Sequence, residues 1–185
     1  MMDKIKSSLD EQMSKAIKSL QRDFTKVRTG RANANILDGV SVDYYGSPTP
    51  VNQVGQVSTP EARLLQIQPF DKSILGEIEK AIINANLGVT PSNDGNFIRI
   101  HFPALTEEKR KDLVKEVKKM GEEAKISVRN SRRDQNEVVK KAEKNKEITE
   151  DDSKKFQDEI QKITNKYVSE VDKLVEAKEK ELLTV

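Results

Sequence analysis

The sequence contains no cysteine and only one histidine, His101, among its 185 residues. The absence of cysteine excludes disulfide bonds, thiolate metal ligands and cysteine nucleophiles. A single histidine without cysteine cannot build a typical zinc site or a serine–histidine–aspartate triad. His101 lies at the end of a predicted strand, and we expect it to have a structural role. There is also no glycine-rich phosphate loop followed by Lys and Ser or Thr, so we predict a protein that is not an enzyme and needs no cofactor.

Long apolar runs are also missing from the chain. No uninterrupted apolar stretch is long enough for a signal peptide or a membrane span. We therefore expect a cytoplasmic protein that does not insert into membranes. Hydrophobic residues make up 35% of the chain, charged residues 35% and aromatic residues 4%. This balance favours long, solvated, charge-rich helices over a compact enzyme domain.

Three segments have the spacing of amphipathic helices, in which steps of three and four residues place apolar side chains on one face. The first runs from about Asp3 to Arg28, and Gly30 is expected to end it. The second should begin after Thr106 and extend for about 38 residues, or about 55 Å. Its predicted apolar stripe consists of Leu113, Val117, Met120, Ala124, Val128, Val138 and Ala142. The third should begin after Thr149.

The middle of the chain has a different composition, because residues 30–105 contain seven of the eight glycines and all six prolines. Its patterns predict a strand at residues 40–44, a turn at 45–50, strands at 53–58, 63–68 and 96–102, and a helix at 73–86. We therefore predict an α+β fold. An elongated antiparallel three-helix bundle, from residues 1–29 and 106–185, should carry a small domain inserted at 30–105.

Two chain segments must join the bundle to the inserted domain. The predicted hinge residues are Thr29, Gly30, Arg31, Pro103, Ala104 and Leu105. Gly30 permits backbone angles that other residues avoid, and Pro103 restricts the residue before it. Domains joined in this way can differ in relative orientation, so we predict a movable connection.

Positive charge is concentrated in the first half of the second helix, although the net charge of the chain is only +2. Residues 109–133 carry ten basic and four acidic side chains, a net charge of +6. Turning about 100° per residue places most cations opposite the apolar stripe, and we expect them not to be balanced by acidic residues four positions away. These cations are Lys111, Lys115, Lys118, Lys125, Arg129 and Arg133, with Arg132 on their flank.

A charged outer face can simply be solvated, and this explanation stays open for the lysines. Arg129, Arg132 and Arg133, however, lie within two helical turns of one another. The planar guanidinium group suits bidentate contact to phosphates and base edges. The cluster therefore favours a polyanionic partner, either RNA or DNA.

Six motifs are distributed along the chain, at residues 27–32 (VRTGRA), 43–50 (DYYGSPTP), 79–82 (EKAI), 87–88 (LG), 105–110 (LTEEKR) and 128–134 (VRNSRRD). In this order they resemble the motifs of the ribosome recycling factor family. The resemblance covers nearly the whole chain and is far more specific than any one short pattern.

The resemblance implies an L-shaped molecule in which a three-helix bundle carries a β/α/β domain. It implies a monomeric factor that binds the post-termination ribosome between its subunits. With elongation factor G and GTP, such factors promote subunit dissociation and release from mRNA, and they hydrolyse nothing and take no small-molecule substrate themselves.

The resemblance also implies roles for individual residues. By motif, Arg129 and Arg132 would contact ribosomal RNA of the large subunit, and the residues near the RNA or at the elbow would be Arg133, Arg28, Arg31 and Arg110. Lys118 and Lys125 join the predicted RNA-binding set because of their positions on the basic face. Ser131 departs from the family, which often has a larger aliphatic residue there, so we expect looser packing at this position.

A different class of function stays open at this stage. Residues 143–185, which include the third helix, carry nine basic and twelve acidic side chains, a net charge of −3. The alternative is therefore a helical scaffold that binds protein partners through its charged bundle surface.

Overall fold

The computed structural model of the protein describes residues 1–184. In chain order, its helices and strands are α1 (Met2–Lys26), β1 (Ser41–Tyr44), β2 (Ser47–Pro50), α2 (Val51–Val54), β3 (Gly55–Glu61), β4 (Leu64–Pro69), α3 (Leu75–Asn84), β5 (Pro91–Asn93), β6 (Ile98–His101), α4 (Glu107–Lys144) and α5 (Glu150–Leu183). The chain folds into two compact units, one formed by Met1–Val27 with Glu107–Thr184 and the other by Arg28–Thr106. Among the helices of residues 1–184, none has the length and apolar character needed to cross a membrane. The predicted α+β class is confirmed.

The first helix, α1, buries one face, as its apolar spacing predicts. Its buried side chains are Ile5, Leu9, Met13, Ile17, Leu20 and Phe24. The helix ends at Lys26, because Val27 has extended backbone angles (φ −71°, ψ 121°). The prediction that Gly30 ends the helix is therefore wrong. Gly30 has a φ of +81°, but it lies beyond the last helical turn and serves the loop that follows.

The second long helix, α4, has the predicted start and the predicted length of 38 residues. Its buried residues are Val117, Gly121, Ala124, Val128, Ser131, Gln135, Val139 and Ala142. The prediction that the stripe resumes at Val138 is wrong, because Val138 is 42% exposed and Val139 is buried. Eleven residues after Val128 the helix has returned to within about 20° of the same direction, whereas ten residues leave it about 80° away. The polar residues within the stripe hide this phase from a hydrophobicity pattern.

Those polar residues have hydrogen-bond partners. The Ser131 hydroxyl donates to the carbonyl oxygen of Ser127 at 3.2 Å, and Gln135 Nε2 donates to Ser8 Oγ on α1 at 3.2 Å. A buried polar group with a partner avoids most of the cost of leaving water. Ser131 is therefore accommodated on the buried face, and the looser packing expected around it stays a prediction.

The third long helix, α5, begins where the sequence predicts. Thr149 Oγ1 accepts a hydrogen bond from the backbone N–H of Asp152 at 3.1 Å, and Asp152 Oδ2 accepts one from the N–H of Thr149 at 3.4 Å. This capping box satisfies N–H groups that have no partner inside the helix. The hydrogen bond that the Thr149 hydroxyl donates to Asp152 Oδ2 at 2.8 Å, followed by the one from the Thr149 N–H, lowers the pKa of Asp152. Further along, Tyr167 donates to Asp10 on α1 at 3.0 Å. Burial, followed by this bond to a carboxylate, raises the pKa of Tyr167 to about 12.

Contacts between side chains give the directions of these helices. Along α4 and α5 the contacts are Lys118 with Glu179, Lys125 with Asp172, and Arg132 with Gln161. Residue numbers fall along α5 as they rise along α4, so the two helices are antiparallel. α1 is antiparallel to α4 as well, because Ser8 contacts Gln135 whereas Leu20 and Met120 line one cleft. The predicted antiparallel three-helix bundle is confirmed.

In the unit Arg28–Thr106, β1 and β2 form an antiparallel hairpin. The predicted turn at residues 45–50 is too long, because only Tyr45 and Gly46 form the turn and β2 follows at once. Their φ values of 50° and 84° are those of a type I′ turn, which matches the twist of a hairpin. Pro48 and Pro50 do not prevent the strand, because β2 belongs to a two-stranded sheet in which each strand is an edge.

The other strands form an antiparallel sheet in the order β3-β4-β6-β5. The strands predicted at residues 63–68 and 96–102 correspond to β4 and β6, with shifted ends. The strand predicted at 53–58 is partly wrong, since its first two residues belong to α2 and β3 begins only at Gly55. The sequence pattern missed β5, which is three residues long and contains Pro91; so short a strand has no alternation to detect.

The helix α3 is shorter than the predicted range of 73–86. A single 3-10 turn at Lys72–Ile74 comes first, and the α-helix ends at Asn84. Its buried residues pack with those of the strands in a core formed by Leu37, Val40, Val42, Val51, Val54, Leu65, Ile67, Ile74, Leu75, Ile78, Ile82, Ile98 and Ile100. The unit thus has a hydrophobic core of its own.

The packing of α4 against α5 generates a prediction at Gly121. A Cβ atom at this position would overlap Val175 Cγ2, and a valine side chain in a helix has little freedom to rotate away. Alanine is the better helix former by about 1 kcal/mol, but overpacking costs about 1–3 kcal/mol. We expect Gly121→Ala to lower the free energy of unfolding by about 1 kcal/mol in urea denaturation.

Two further variants make the cause specific. Adding Val175→Ala to Gly121→Ala should recover part of the loss, because the overlapping methyl group is removed. Gly76→Ala on α3 is the control, since an added Cβ there meets nothing within 4 Å. An unfolding free energy that Gly121→Ala leaves unchanged or increases would contradict the close approach of the two helices.

Candidate nucleic-acid interface

Arg129 and Arg133 lie on the exposed face of α4, opposite its buried stripe. Within residues 1–184, neither guanidinium group has a hydrogen bond or an ion pair. Lys115 and Lys119, six and two residues before Gly121 on the same helix, are exposed and unpaired in that range as well. These four cations are called the open basic face below. They are available to an external anion without the loss of an internal contact.

Arg132 differs from its two neighbours because it lies on the flank of α4 that faces α5. Its Nη1 donates a hydrogen bond to Gln161 Oε1 at 3.0 Å. Gln161 Nε2 in turn donates to Asn165 Oδ1 at 2.7 Å. The Nε atom of Arg132 is buried and has no partner in the part of the chain that the structure describes. A neutral amide therefore orients the guanidinium group, and no carboxylate within residues 1–184 pairs with its positive charge.

Lys118 and Lys125 are not open in the same way. Lys125 Nζ contacts Asp172 at 2.5 Å and Glu122 at 3.1 Å, and its side chain is only 17% exposed. The bond to Asp172 is the main cause that raises the pKa of Lys125, against the effect of burial. Lys118 Nζ lies 3.8 Å from Glu179. Both lysines therefore share their charge with carboxylates of the bundle.

The expectation that these cations lack acidic partners four residues away is wrong at Lys111, and two further cations have acidic partners at other positions. In the first turn of α4, Lys111 pairs with Glu107 four residues before it, at 3.4 Å. At Lys125 one partner is three residues away and the other is on α5, and at Lys118 the partner is also on α5. A helical projection of α4 alone contains none of the α5 carboxylates, which only the packed bundle brings close.

Three other predicted RNA-binding residues do not join the Arg129–Arg133 cluster. Arg110 is half-buried, and it precedes Arg129 by nineteen residues, or about 28 Å of helix. Its Nε is buried without a partner among residues 1–184. Arg28 and Arg31 are exposed residues of the other unit.

Arg28 is held by the segment that follows α3. Its guanidinium group donates a hydrogen bond to the Leu87 carbonyl oxygen at 2.5 Å. A Cβ atom at Gly88 would lie 2.9 Å from Arg28 Nη2, and the φ of Gly88 is +73°. Gly88 therefore has both the backbone angle and the absence of a side chain that the contact requires. The motifs at residues 27–32 and 87–88 are parts of one local structure.

Sequence reasoning did not find Gln161 and Asn165. Both are uncharged amides four residues apart on α5, a spacing that places them on one face of the helix. Uncharged polar residues on the outside of so charged a helix were a weak signal, but nothing in the sequence connects them to Arg132. Within residues 1–184 no group of His, Cys, Asp or Glu side chains could hold a metal ion.

Comparisons with known proteins give a consistent result. The family model for ribosome recycling factor matches residues 20–183. The ribosome-recycling factor of Bacillus cereus strain AH187 is 56% identical over 178 residues, which cover 96% of each chain. The ribosome-recycling factor of Bacillus anthracis strain CDC 684 is 56% identical over 181 residues, which cover 98% of this chain and 97% of the relative.

Solved structures agree with these relatives. A solution structure of the ribosome recycling factor superposes with a TM-score of 0.79 at 38% identity, covering 100% of this chain and 98% of that one. A second match has a TM-score of 0.65 at 39% identity and covers 99% of both chains. It comes from models of the T. thermophilus ribosome recycling factor and the E. coli elongation factor G bound to the E. coli post-termination complex.

The two kinds of lysine on α4 should differ in their effect on stability. Lys125→Met removes a cation that touches two carboxylates, so we expect the free energy of unfolding to fall by about 0.5–1 kcal/mol in urea denaturation. Lys115→Met, which breaks no internal contact, should change it by less than about 0.5 kcal/mol. The loss at Lys125 should shrink in high salt, because salt screens ion pairs. Equal effects of the two substitutions would show that the pairing contributes nothing.

Proposed function

The chain belongs to the ribosome recycling factor family, and we propose that it binds the post-termination ribosome between the subunits. Together with elongation factor G and GTP, it promotes dissociation of the subunits and release from mRNA. Family membership makes it a non-enzymatic translation factor, which confirms the prediction that the chain is not an enzyme. We also propose that it acts in the cytoplasm as a monomer, and that it needs no small-molecule substrate or cofactor.

The open basic face is the observation that carries the proposal to the level of residues. Arg129 and Arg133 are exposed and have no internal partner within residues 1–184. Cations in this state bind phosphate without first breaking an ion pair, and arginine suits RNA through its planar fork. Membership of the ribosome recycling factor family favours RNA of the large ribosomal subunit, rather than DNA, as the polyanion.

The predicted RNA-binding residues differ in the internal contacts that RNA binding would weaken. Lys118 and Lys125 must weaken contacts to carboxylates before they can approach a phosphate, so we assign them smaller contributions. Lys115 and Lys119 have no such contacts in the described chain, and we add them to the proposed surface. Arg110 lies on the same helix but in its first turn, where it would reach a separate part of the RNA.

Salt dependence of binding to the large subunit tests this surface. Each phosphate contact makes the slope of log affinity against log salt concentration steeper by about 0.7–0.9. We expect Arg129→Ala and Arg133→Ala each to weaken binding and to reduce the slope by about that amount. Ribosome splitting with elongation factor G and GTP, followed by light scattering, should slow in parallel.

Arg99→Ala is the matched control, because it removes the same charge from an arginine that is already paired with Asp94 at 2.9 Å. It should leave the slope unchanged. If all three variants bind alike and keep the native circular dichroism spectrum, the open basic face does not contact the ribosome.

The connection between the two units is the second part of the proposal. The N–H of Ala32 donates to the Ala62 carbonyl oxygen, and the N–H of Phe102 donates to that of Arg63, each at 2.8 Å. Both connecting segments are thus tied to one turn, between β3 and β4. Residues 29–31 and 103–105 make no backbone–backbone hydrogen bond with the rest of residues 1–184, which supports a hinge at those positions.

Fluorescence energy transfer can measure this freedom, because a chain without cysteine allows two labels at Ser92→Cys and Ser169→Cys. We expect a broad distribution of transfer efficiencies that Gly30→Ala changes, since a φ of +81° costs alanine about 1–2 kcal/mol. Gly46→Ala, at φ +84°, is the control that imposes similar strain inside one unit. A narrow distribution, insensitive to both substitutions, would rule out the hinge.

A further inference from the structure

We propose that Gln161, supported by Asn165, is a positioning residue that orients Arg132 for contact with RNA. This inference rests on the proposed function, because it concerns how one member of the RNA-binding set is presented. The three side chains form a continuous hydrogen-bonded chain from α5 to α4, in which Asn165 Oδ1 accepts from Gln161 Nε2 at 2.7 Å and Gln161 Oε1 accepts from Arg132 Nη1 at 3.0 Å.

The direction of these bonds fixes the Gln161 amide. A glutamine amide can be turned so that either its oxygen or its NH2 group faces a neighbour. Asn165 Oδ1 takes the NH2 group, so the oxygen faces the arginine. Without Asn165 the amide would lose this bias, although the guanidinium group, which has only donors, would still favour the oxygen.

The chemistry of Gln161 stands out along the contact between α4 and α5. At Lys118 and Lys125 the partners from α5 are the carboxylates Glu179 and Asp172. Opposite Arg132, the partner is a neutral amide. An acid there would also orient the arginine, but it would cancel the charge that attracts phosphate. Glutamine supplies orientation while leaving the positive charge unopposed.

The unpartnered Nε of Arg132 points the same way. A buried N–H without an acceptor costs free energy, so such groups are uncommon. The guanidinium group nevertheless stays where Nη1 reaches Gln161 and Nε reaches nothing within residues 1–184. The bond to Gln161 is thus the hydrogen bond that holds the guanidinium group within residues 1–184. Nη2 and the second hydrogen of Nη1 remain for an external acceptor.

A double-mutant cycle on binding to the large ribosomal subunit tests whether Gln161 acts through Arg132. We expect Gln161→Ala to weaken binding by roughly fivefold, the size of one typical hydrogen bond, and Asn165→Ala to weaken it less. In the Arg132→Ala background, Gln161→Ala should have no further effect, because there is nothing left to orient. Gln157→Ala, one turn earlier and bonded to Ser153, is the control and should bind normally.

A second substitution separates orientation from general structure. Gln161→Glu keeps an acceptor for Arg132 but adds a negative charge, so binding should weaken more than in Gln161→Ala. The slope of log affinity against log salt should become less steep by about 0.7–0.9, the equivalent of one lost phosphate contact. A substitution that acted only by loosening the bundle would lower the midpoint of urea denaturation. A changed slope with an unchanged midpoint therefore indicates an effect of charge.

The outcomes distinguish the two levels of the proposal. If Arg132→Ala binds like the unmodified chain, Arg132 does not contact RNA, and both its proposed function and the role of Gln161 fail. If Arg132→Ala weakens binding but Gln161→Ala does not, the RNA contact stands and the positioning role is wrong. If Gln161→Ala weakens binding equally with and without Arg132, Gln161 acts independently, and the inference is likewise overturned.

Discussion

The burial of one face of α4 is the constraint on which the basic surface depends. Hydrophobic burial is the main favourable term in folding, and here it fixes the rotation of the helix about its own axis. Val117, Val128 and Val139 are each fully buried, at intervals of eleven residues, or about three turns. Once they are inside, a helix of 3.6 residues per turn must turn Arg129 and Arg133 outward. The close approach at Gly121 further limits any rotation relative to α5.

The contact between α4 and α5 sorts the cations into two classes. Lys118 and Lys125 meet carboxylates on α5, which lowers the repulsion among like charges on α4. Farther along, α5 presents Gln161 to Arg132. Arg129 and Arg133 make no hydrogen bond or ion pair within residues 1–184. Arginine side chains without a carboxylate partner in the described chain are thus concentrated in two turns of α4. Net charge alone does not reveal this, because the same chain total of +2 could be spread evenly.

The helices were predictable because their signals repeat over many residues. The start of α5 follows from Thr149 and the acids after it, and α4 follows from thirty-eight residues without proline. The hairpin was harder, because Pro48 and Pro50 are typical of turns and only pairing with β1 makes them a strand. Val138 and Val139 could not be distinguished while Gln135 was counted as polar and therefore exposed. The pairing of Lys125 and the role of Gln161 are tertiary contacts between residues more than twenty-five positions apart, which no local pattern contains.

The charge of the second unit limits where phosphate can bind. Residues 28–106 carry six basic and seven acidic side chains, a net charge of −1, and Arg99, one of the six, is paired with Asp94. Arg28, at the start of this unit, is committed to the Leu87 carbonyl and to the space that Gly88 leaves open. A unit with this charge balance offers a polyanion no net attraction unless other contacts compensate. We therefore propose that the strongest attraction for RNA comes from α4, whereas Arg28 contributes to the structure of its own unit.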